Sequence, residues 1–200
     1  MKILRFAEKI LPLFFWLLLI FAFDTPALAF MTLFSAVIHE LGHISAGLSR
    51  GMLRLFPQPT NNGFRIKTDG LISYKDDLIL TLGGPLFNII TALCSWLIAL
   101  HGVAYFRDFS LINFLTAVSN LLPIKEYDGY RIIECSALLL LKKTEGVLRI
   151  LNAFSFAFTV FLMFLALYFI LKSGEGYWIF AVFFSSFIVE TAKISKNNKL

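Results

Sequence analysis

Long apolar runs separated by short charged stretches dominate this chain. A membrane-spanning helix needs about 20 predominantly apolar residues, and the runs approach or exceed that length. The pattern therefore predicts an all-α polytopic membrane protein with about six transmembrane helices. The fourth and sixth runs are short and must be tilted or continued by flanking residues. The predicted segments are Leu4–Phe23, Pro26–Ser49, Leu78–Leu100, Phe109–Leu122, Val147–Leu171 and Tyr177–Val189.

The composition places most of the chain in lipid. Hydrophobic residues make up 58% of the 200 residues, 23 residues are Phe, and the mean hydropathy is +0.77. Soluble chains of this size do not reach these values, and the length suggests one domain. Cys94 and Cys135 lie in separate stretches without Cys-x-x-Cys spacing, which argues against a disulfide or a cysteine-based metal site.

The net charge of +5 reflects membrane orientation and not nucleic-acid binding. All lysines and arginines except Arg107 and Lys172 fall on one side of the predicted segments. The positive-inside rule makes that side cytoplasmic. An even number of spans then places both termini, including the short basic tail 190–200, in the cytoplasm of a multi-pass protein of the cell membrane.

The first 29 residues have two interpretations. Cations, an apolar stretch and Ala27-Leu28-Ala29 imitate a secretory signal peptide. The alternative is a retained first transmembrane helix, favoured because a second apolar segment follows at once. In that case Thr25 is a suitable N-cap and Pro26 a suitable first residue for the second helix.

Residues 51–76 form a polar insertion between the second and third segments. Asn61-Asn62-Gly63 and Asp69-Gly70 are turn signals, and residues of strand character lie between them. We predict a small β-hairpin or sheet at the cytoplasmic membrane surface; the alternative is a disordered basic loop.

Two histidines and a glutamate interrupt the second segment as His39-Glu40-Leu41-Gly42-His43. Positions i and i+4 share one face of a helix, so two imidazoles can bind one zinc ion, with Glu40 placed to act on the zinc-bound water. Polar groups at membrane depth are costly and generally functional. The alternative is two histidines satisfied by neighbouring helices. His39 lies 13 residues after Pro26, about 20 Å inward, in the cytoplasmic half.

A catalytic zinc needs a third protein ligand. His101 falls at the external end of the third segment, on the wrong side of the membrane. Asp128 follows the break at Pro123 and precedes the flexible Gly129. The spacing alone leaves two equal interpretations for Asp128, a ligand or a helix cap.

Small residues and Asn88 mark a third polar cluster, Gly83-Gly84-Pro85-Leu86-Phe87-Asn88. Small residues allow helices to approach closely in lipid, and asparagine bonds across helices. A structural role is the favoured interpretation.

Three motifs stand together: His39-Glu40-Leu41-Gly42-His43, Gly84-Pro85-Leu86-Phe87-Asn88, and Asn120-Leu121-Leu122-Pro123 followed by Asp128-Gly129. In this order they resemble the site-2 protease family of intramembrane zinc metalloproteases, most of all its compact bacterial branch with a sporulation protease that processes a sigma-factor precursor. The resemblance implies one membrane-embedded metalloprotease domain over 1–200.

The resemblance also implies roles for individual residues. His39, His43 and Asp128 would bind one catalytic Zn²⁺, Glu40 would be the catalytic acid and base, and Asn120 would hold the substrate carbonyl or its oxyanion. The 51–76 insertion would receive substrate as an added strand. The chain departs from the family pattern at two positions near the site, because Glu126 and Leu121 stand where many members have proline.

The expected activity is hydrolysis of a peptide bond in or next to a transmembrane segment. The expected partners are a membrane-protein or membrane-associated peptide substrate, the lipid bilayer, and a gating or inhibitory membrane protein; no nucleic acid is expected. Two alternatives stay open: a membrane zinc hydrolase acting on a lipid or prenylated peptide, and a non-catalytic zinc-stapled scaffold. An intact Glu40 argues against the scaffold, because structural zinc needs no general base.

Overall fold

A computed structural model describes residues 25–52, 55–60, 63–68, 72–125, 127–141, 144–173, 180, 182–188 and 191. They fall into two compact units that divide between Leu121 and Leu122. Each unit is described by itself, and the prediction of a single domain stays a prediction. The first predicted segment and the basic tail beyond Thr191 lie outside the described residues.

Among its described residues, the first unit contains three helices: α1 (Pro26–Ser49), α2 (Tyr74–Ala99) and α3 (Ala104–Asn120). The predicted start of α1 is confirmed, because Thr25 is its N-cap and the Thr25 side chain accepts a hydrogen bond from the N–H of Leu28. Helix α2 begins before the predicted Leu78, because Ser73 caps it and accepts from the N–H of Asp76. Helix α3 also begins before the predicted Phe109.

Two antiparallel strands, β1 (Leu55–Thr60) and β2 (Gly63–Thr68), lie between α1 and α2. Their register runs from the pair Leu55 and Thr68 to the pair Thr60 and Gly63, and the predicted hairpin stays a prediction. Both prolines of β1, Pro57 and Pro59, fall at alternate positions of the strand. Proline has no N–H to give to a partner strand, so these positions direct their backbone groups away from β2.

Helices α1 and α2 pack closely where a glycine of one helix faces a glycine of the other. A Cβ atom on Gly42 would lie closer than 3.0 Å to the carbonyl group of Gly83, and a Cβ on Gly83 would lie equally close to the carbonyl group of Gly42. Close backbone approach through small residues replaces the hydrophobic driving force that helices lack in lipid. The structural role predicted for the small residues of α2 is therefore confirmed at Gly83.

The second unit contains α4 (Asp128–Leu140) and α5 (Thr144–Ser173), and residues 182–188 are helical. Helix α5 extends beyond both ends of the predicted segment Val147–Leu171. Residues 182–188 fall within the predicted sixth segment. Phe187 packs against Phe156 of α5 with ring centroids 5.7 Å apart.

The described part of the chain is predominantly helical. Three of its helices are long and apolar enough to cross a membrane: α1, α2 and α5 from Glu145 to Ser173. Many of their large side chains are exposed, as Leu93 and Phe164 are, which suits contact with lipid. The predicted membrane protein is confirmed in this form, and the count of six spans stays a prediction.

Candidate metal centre

His39 and His43 lie together inside the three-helix unit. Both side chains are buried, and their Nε2 atoms are 3.1 Å apart. The rings meet edge to face, with centroids 4.7 Å apart and an interplanar angle of 88°. The i, i+4 spacing on α1 therefore brings the two nitrogens to one point, as the sequence pattern predicts.

A backbone carbonyl orients the ring of His43. Its Nδ1 lies 2.9 Å from the carbonyl oxygen of Leu80 on α2. The N–H of Gly84 also lies 3.3 Å from this Nδ1, and the two contacts require opposite protonation. The shorter contact, with the carbonyl oxygen of Leu80, determines the protonation of Nδ1, because a carbonyl oxygen can only accept a hydrogen bond. Nδ1 of His43 therefore carries the proton, and its Nε2 presents a lone pair.

An amide oxygen orients the ring of His39. Nδ1 of His39 lies 2.7 Å from Oδ1 of Asn88 on α2. The NH₂ group of Asn88 faces the other way, and its two hydrogens are shared among three acceptors: the carbonyl and hydroxyl oxygens of Ser35 and Oδ1 of Asn113. Because Oδ1 only accepts, Nδ1 of His39 carries the proton. Its Nε2 also presents a lone pair.

The two lone pairs face each other across 3.1 Å. Two acceptors at this distance repel unless a cation or a proton lies between them. A zinc ion bonds imidazole nitrogen at about 2.0–2.1 Å, so two nitrogens at this separation fit one ion. Nδ1–H groups held by a carbonyl or an amide oxygen are the usual partners of metal-binding histidines. The pair therefore fits a metal.

Gly84 leaves the space that the two rings occupy. A Cβ atom at this position would lie 2.5 Å from Nε2 of His43 and 2.8 Å from Cε1 of His39. The Nε2–Cε1 edges of the two rings therefore lie directly against the backbone of α2, at a residue that has no side chain. The role of Gly84 is to make room for the imidazoles, which the sequence interpretation of this cluster did not include.

Glu40 and Asn120 belong to the same unit. Glu40 is partly buried on α1, between the two histidines in sequence. Asn120 is the last residue of α3 and is partly buried, and its Nδ2 donates to the carbonyl oxygen of Thr116 at 2.9 Å. The roles predicted for both stay predictions.

Asp128 is the first residue of α4, in the second unit. Tyr127, and not Asp128, occupies the N-cap position, with extended backbone at φ −101° and ψ 160°. Asp128 therefore opens α4 as its first residue, one position after the N-cap, and both interpretations of Asp128 stay open. The ligand role stays a prediction.

The turn that leads into Asp128 is held by α5. The N–H of Lys125 donates to the hydroxyl of Ser155 at 2.9 Å, and the hydroxyl of Tyr130 donates to Oδ1 of Asn152 at 2.9 Å. Burial raises the pKa of Tyr127, and its hydrogen bond with Ser186 partly opposes that rise. Glu126, one of the two departures from the family pattern, lies outside the described residues.

His101 has no part in this site. It is exposed and follows the C-terminal end of α2. Seventeen residues separate it from Gly84, which is about 25 Å along a helix. The predicted position of His101 on the external side of the membrane stays a prediction.

Sequence reasoning missed Ser35 and Asn113, which are fully buried beside Asn88. Their only signal is a polar residue inside an apolar run, which predicts a buried hydrogen bond but does not name its partner. The bonding of Asn88 across helices was predicted and is confirmed, but its contact with a histidine was not foreseen.

Comparisons with known proteins bear on the fold. The site-2 protease of Methanocaldococcus jannaschii superimposes with a TM-score of 0.64, over 92% of this chain and 86% of that chain, at 18% sequence identity. The chain has the fold of a site-2 protease. The resemblance that the sequence motifs predict is confirmed.

A relative of this chain by sequence comes from Bacillus subtilis strain 168. Its stage IV sporulation protein FB is 28% identical over an alignment of 102 positions, which covers 48% of this chain and 35% of that protein. The match thus spans about a third of the relative's length. No protein-family model matches the chain.

Proposed function

We propose that this protein is an intramembrane zinc metalloprotease that hydrolyses a peptide bond in or next to a transmembrane segment of a membrane protein. The single observation that carries the proposal is the approach of the Nε2 atoms of His39 and His43 to 3.1 Å on a helix apolar enough to span a membrane. The fold, shared with a site-2 protease, supports the choice of a peptide substrate.

The proposed zinc ligands are His39, His43 and Asp128. Catalytic zinc sites use three protein ligands and leave one position open. A carboxylate oxygen is a regular zinc ligand, and Asp128 follows a turn fixed by Ser155. When bound, one zinc ion supplies a Lewis acid that makes a water acidic enough to attack at neutral pH.

Glu40 is the proposed general base and acid. Its carboxylate takes the proton of the attacking water and later delivers it to the leaving nitrogen. Asn120 is the proposed donor to the carbonyl oxygen of the scissile bond, since an amide N–H aimed at developing negative charge stabilises the transition state. One hydrogen of its Nδ2 is bonded to Thr116, which leaves the second for this role.

The proposed substrate is extended where it is cut, because a helix shields its own amides. Pairing with an exposed strand would supply that extension. The outer edge of β1 lacks the N–H donors of Pro57 and Pro59, whereas β2 (Gly63–Thr68) contains no proline. We propose that the substrate strand adds to β2.

The proposed setting is the cell membrane, with several spans, cytoplasmic termini and the site in the cytoplasmic half. The distribution of cations supports this orientation. The proposed partners are the substrate, the surrounding lipid and a membrane protein that gates access.

The test uses purified protein in detergent, zinc and a model transmembrane substrate, with products identified by mass spectrometry. Glu40→Gln should lose more than about 100-fold in cleavage rate while binding zinc normally. Glu145→Gln, an exposed carboxylate at the start of α5, is the matched control and should cleave at the normal rate. Full activity of Glu40→Gln would contradict the proposed role of Glu40 as general base and acid. Release of a lipid or prenyl product instead of peptides favours the other hydrolase class, and zinc binding without any product favours the scaffold.

A further inference from the structure

We infer that Asn113 of α3 is a positioning residue for the metal site, acting through Asn88 to fix the orientation and tautomer of His39. The inference rests on the proposed zinc site. It concerns a chain of hydrogen bonds that crosses three helices: Asn113 on α3, Asn88 on α2 and His39 on α1. We name this chain the asparagine relay.

The first residue of the relay is Asn113, whose side-chain amide is held in one orientation by the backbone of α3. Its Nδ2 donates to the carbonyl oxygen of Phe109, one turn earlier in α3, at 2.9 Å. A backbone carbonyl cannot donate, so this contact fixes which end of the amide is nitrogen. Oδ1 of Asn113 must then face the opposite way, toward α1 and α2, and the side chain is completely buried.

Asn88 takes its orientation from that oxygen. Its Nδ2 lies 2.9 Å from Oδ1 of Asn113 and 3.1 Å from the carbonyl oxygen of Ser35. If the Asn88 amide were flipped, its oxygen would face two acceptors in a buried place, at the cost of two hydrogen bonds. The surroundings therefore permit one orientation, which leaves Oδ1 of Asn88 for His39.

Ser35 adds support from α1. Its hydroxyl accepts from Nδ2 of Asn88 and lies within hydrogen-bond distance of Oδ1 of Asn113 and the hydroxyl of Thr116. Because Ser35 precedes His39 by one turn of the same helix, the relay holds α1 at two successive points. The geometry of His39 is thus tied to the position of α3.

The consequence lies at Nε2 of His39. With Oδ1 of Asn88 at 2.7 Å from Nδ1, the proton stays on Nδ1 and Nε2 remains a ligand. Without Asn113, the Asn88 amide keeps the Ser35 carbonyl but loses the nearer of the acceptors that hold its orientation. The flipped amide, which offers N–H to Nδ1 and so moves the proton to Nε2, then becomes populated and removes the ligand in that fraction of molecules. Groups that orient a metal-binding histidine change metal affinity by about 10–100-fold.

The experiment measures zinc affinity of the purified full-length chain by competition with a chelating indicator. Asn113→Leu should raise the Kd about 10-fold, and Asn88→Leu at least as much. Asn113→Asp keeps the oxygen that faces Asn88, and as a protonated carboxyl it also donates to the carbonyl of Phe109 in place of Nδ2, so it should bind as the wild type does. Ser110→Ala is the matched control, because it removes another buried hydrogen bond from α3 to α2, from Ser110 to the carbonyl of Ala92, outside the relay.

A second readout is the tautomer of His39 in the metal-free protein. The chain has three histidines, so ¹⁵N spectra of labelled imidazoles are readily assigned with His→Ala variants. The wild type should show His39 protonated at Nδ1, whereas Asn113→Leu should show a mixture. If Asn113 served only to stabilise the fold, its substitution would not change the tautomer of His39. If Asn113→Leu does not fold, Asn113→Ala replaces it in both measurements.

The outcomes separate the relay from the proposed function. If Asn113→Leu and Ser110→Ala bind zinc equally and both keep the Nδ1 proton, the relay is wrong. If His39→Ala binds zinc as tightly as the wild type, the proposed zinc site is wrong, whatever the tautomer shows. A weaker affinity with a changed tautomer in Asn113→Leu, rescued in Asn113→Asp, supports the relay.

Discussion

Gly84→Ala should remove zinc from the protein without unfolding it. The added Cβ would lie 2.5 Å from Nε2 of His43, 2.6 Å from its Cε1 and 2.8 Å from Cε1 of His39. Ordinary contact begins at 3.4 Å, so the nearest imidazole must move by about 1 Å. Metal–ligand distances vary by only about 0.2 Å in working sites. The displacement is therefore several times larger than the tolerance.

The expected loss is about 100-fold in zinc affinity, at the upper end of the effects of disturbing a histidine's surroundings. The assay is a zinc competition titration in detergent, with metal content by mass spectrometry and circular dichroism to verify the fold. Gly146→Ala is the control, because no atom lies within 4 Å of its added Cβ. That variant should bind zinc normally and be as stable as the wild type or slightly more.

Two results would refute this reasoning. Wild-type zinc affinity in Gly84→Ala would mean that the imidazoles do not lie against the α2 backbone when zinc is bound. Equal losses in Gly84→Ala and Gly146→Ala would mean that the effect is a general response to alanine and not a local displacement.

Three further predictions concern packing, charge and substrate. Gly83→Ala should destabilise the protein by about 1–3 kcal/mol, because its Cβ meets α1 backbone; an unchanged unfolding midpoint in detergent would contradict this. Arg50→Gln should lower the unfolding midpoint only slightly and less at high salt, since its ion pair with Asp76 at 2.7 Å is exposed; a large, salt-independent loss would count against it. Ile66→Pro removes an outward N–H from β2 and should slow cleavage without changing zinc content, whereas Leu55→Pro on β1 should not; equal rates would refute pairing at β2.

The sequence alone predicts the first half of the site well because local rules govern it. The Thr25–Pro26 start of α1 is a capping pattern, and the i, i+4 spacing of His39 and His43 is a property of any helix. The start of α3 at Ala104 was missed. Arg107 and the neighbouring aspartate interrupt the hydropathy signal but not the backbone hydrogen bonds.

The hydrogen bonds around the histidines could not be predicted in the same way. Asn88 and Asn113 are 25 residues apart, and no periodicity along one helix links them. Their pairing depends on how closely α2 and α3 pack. The case of Asp128 is different, because its local setting was ambiguous: only the backbone of Tyr127 shows that the N-cap lies one residue earlier.

The two histidines differ in how they can be disturbed. His43 is oriented by the carbonyl of Leu80, a backbone group that no side-chain substitution removes. His39 is oriented by the side chain of Asn88, which in turn depends on Asn113. Single substitutions away from the site should therefore disturb the ring orientation of His39 more readily than that of His43. If α3 shifts when a substrate or partner binds, the hydrogen bonds transmit that shift to His39, so His39 is the ligand through which the three-helix unit can adjust the metal.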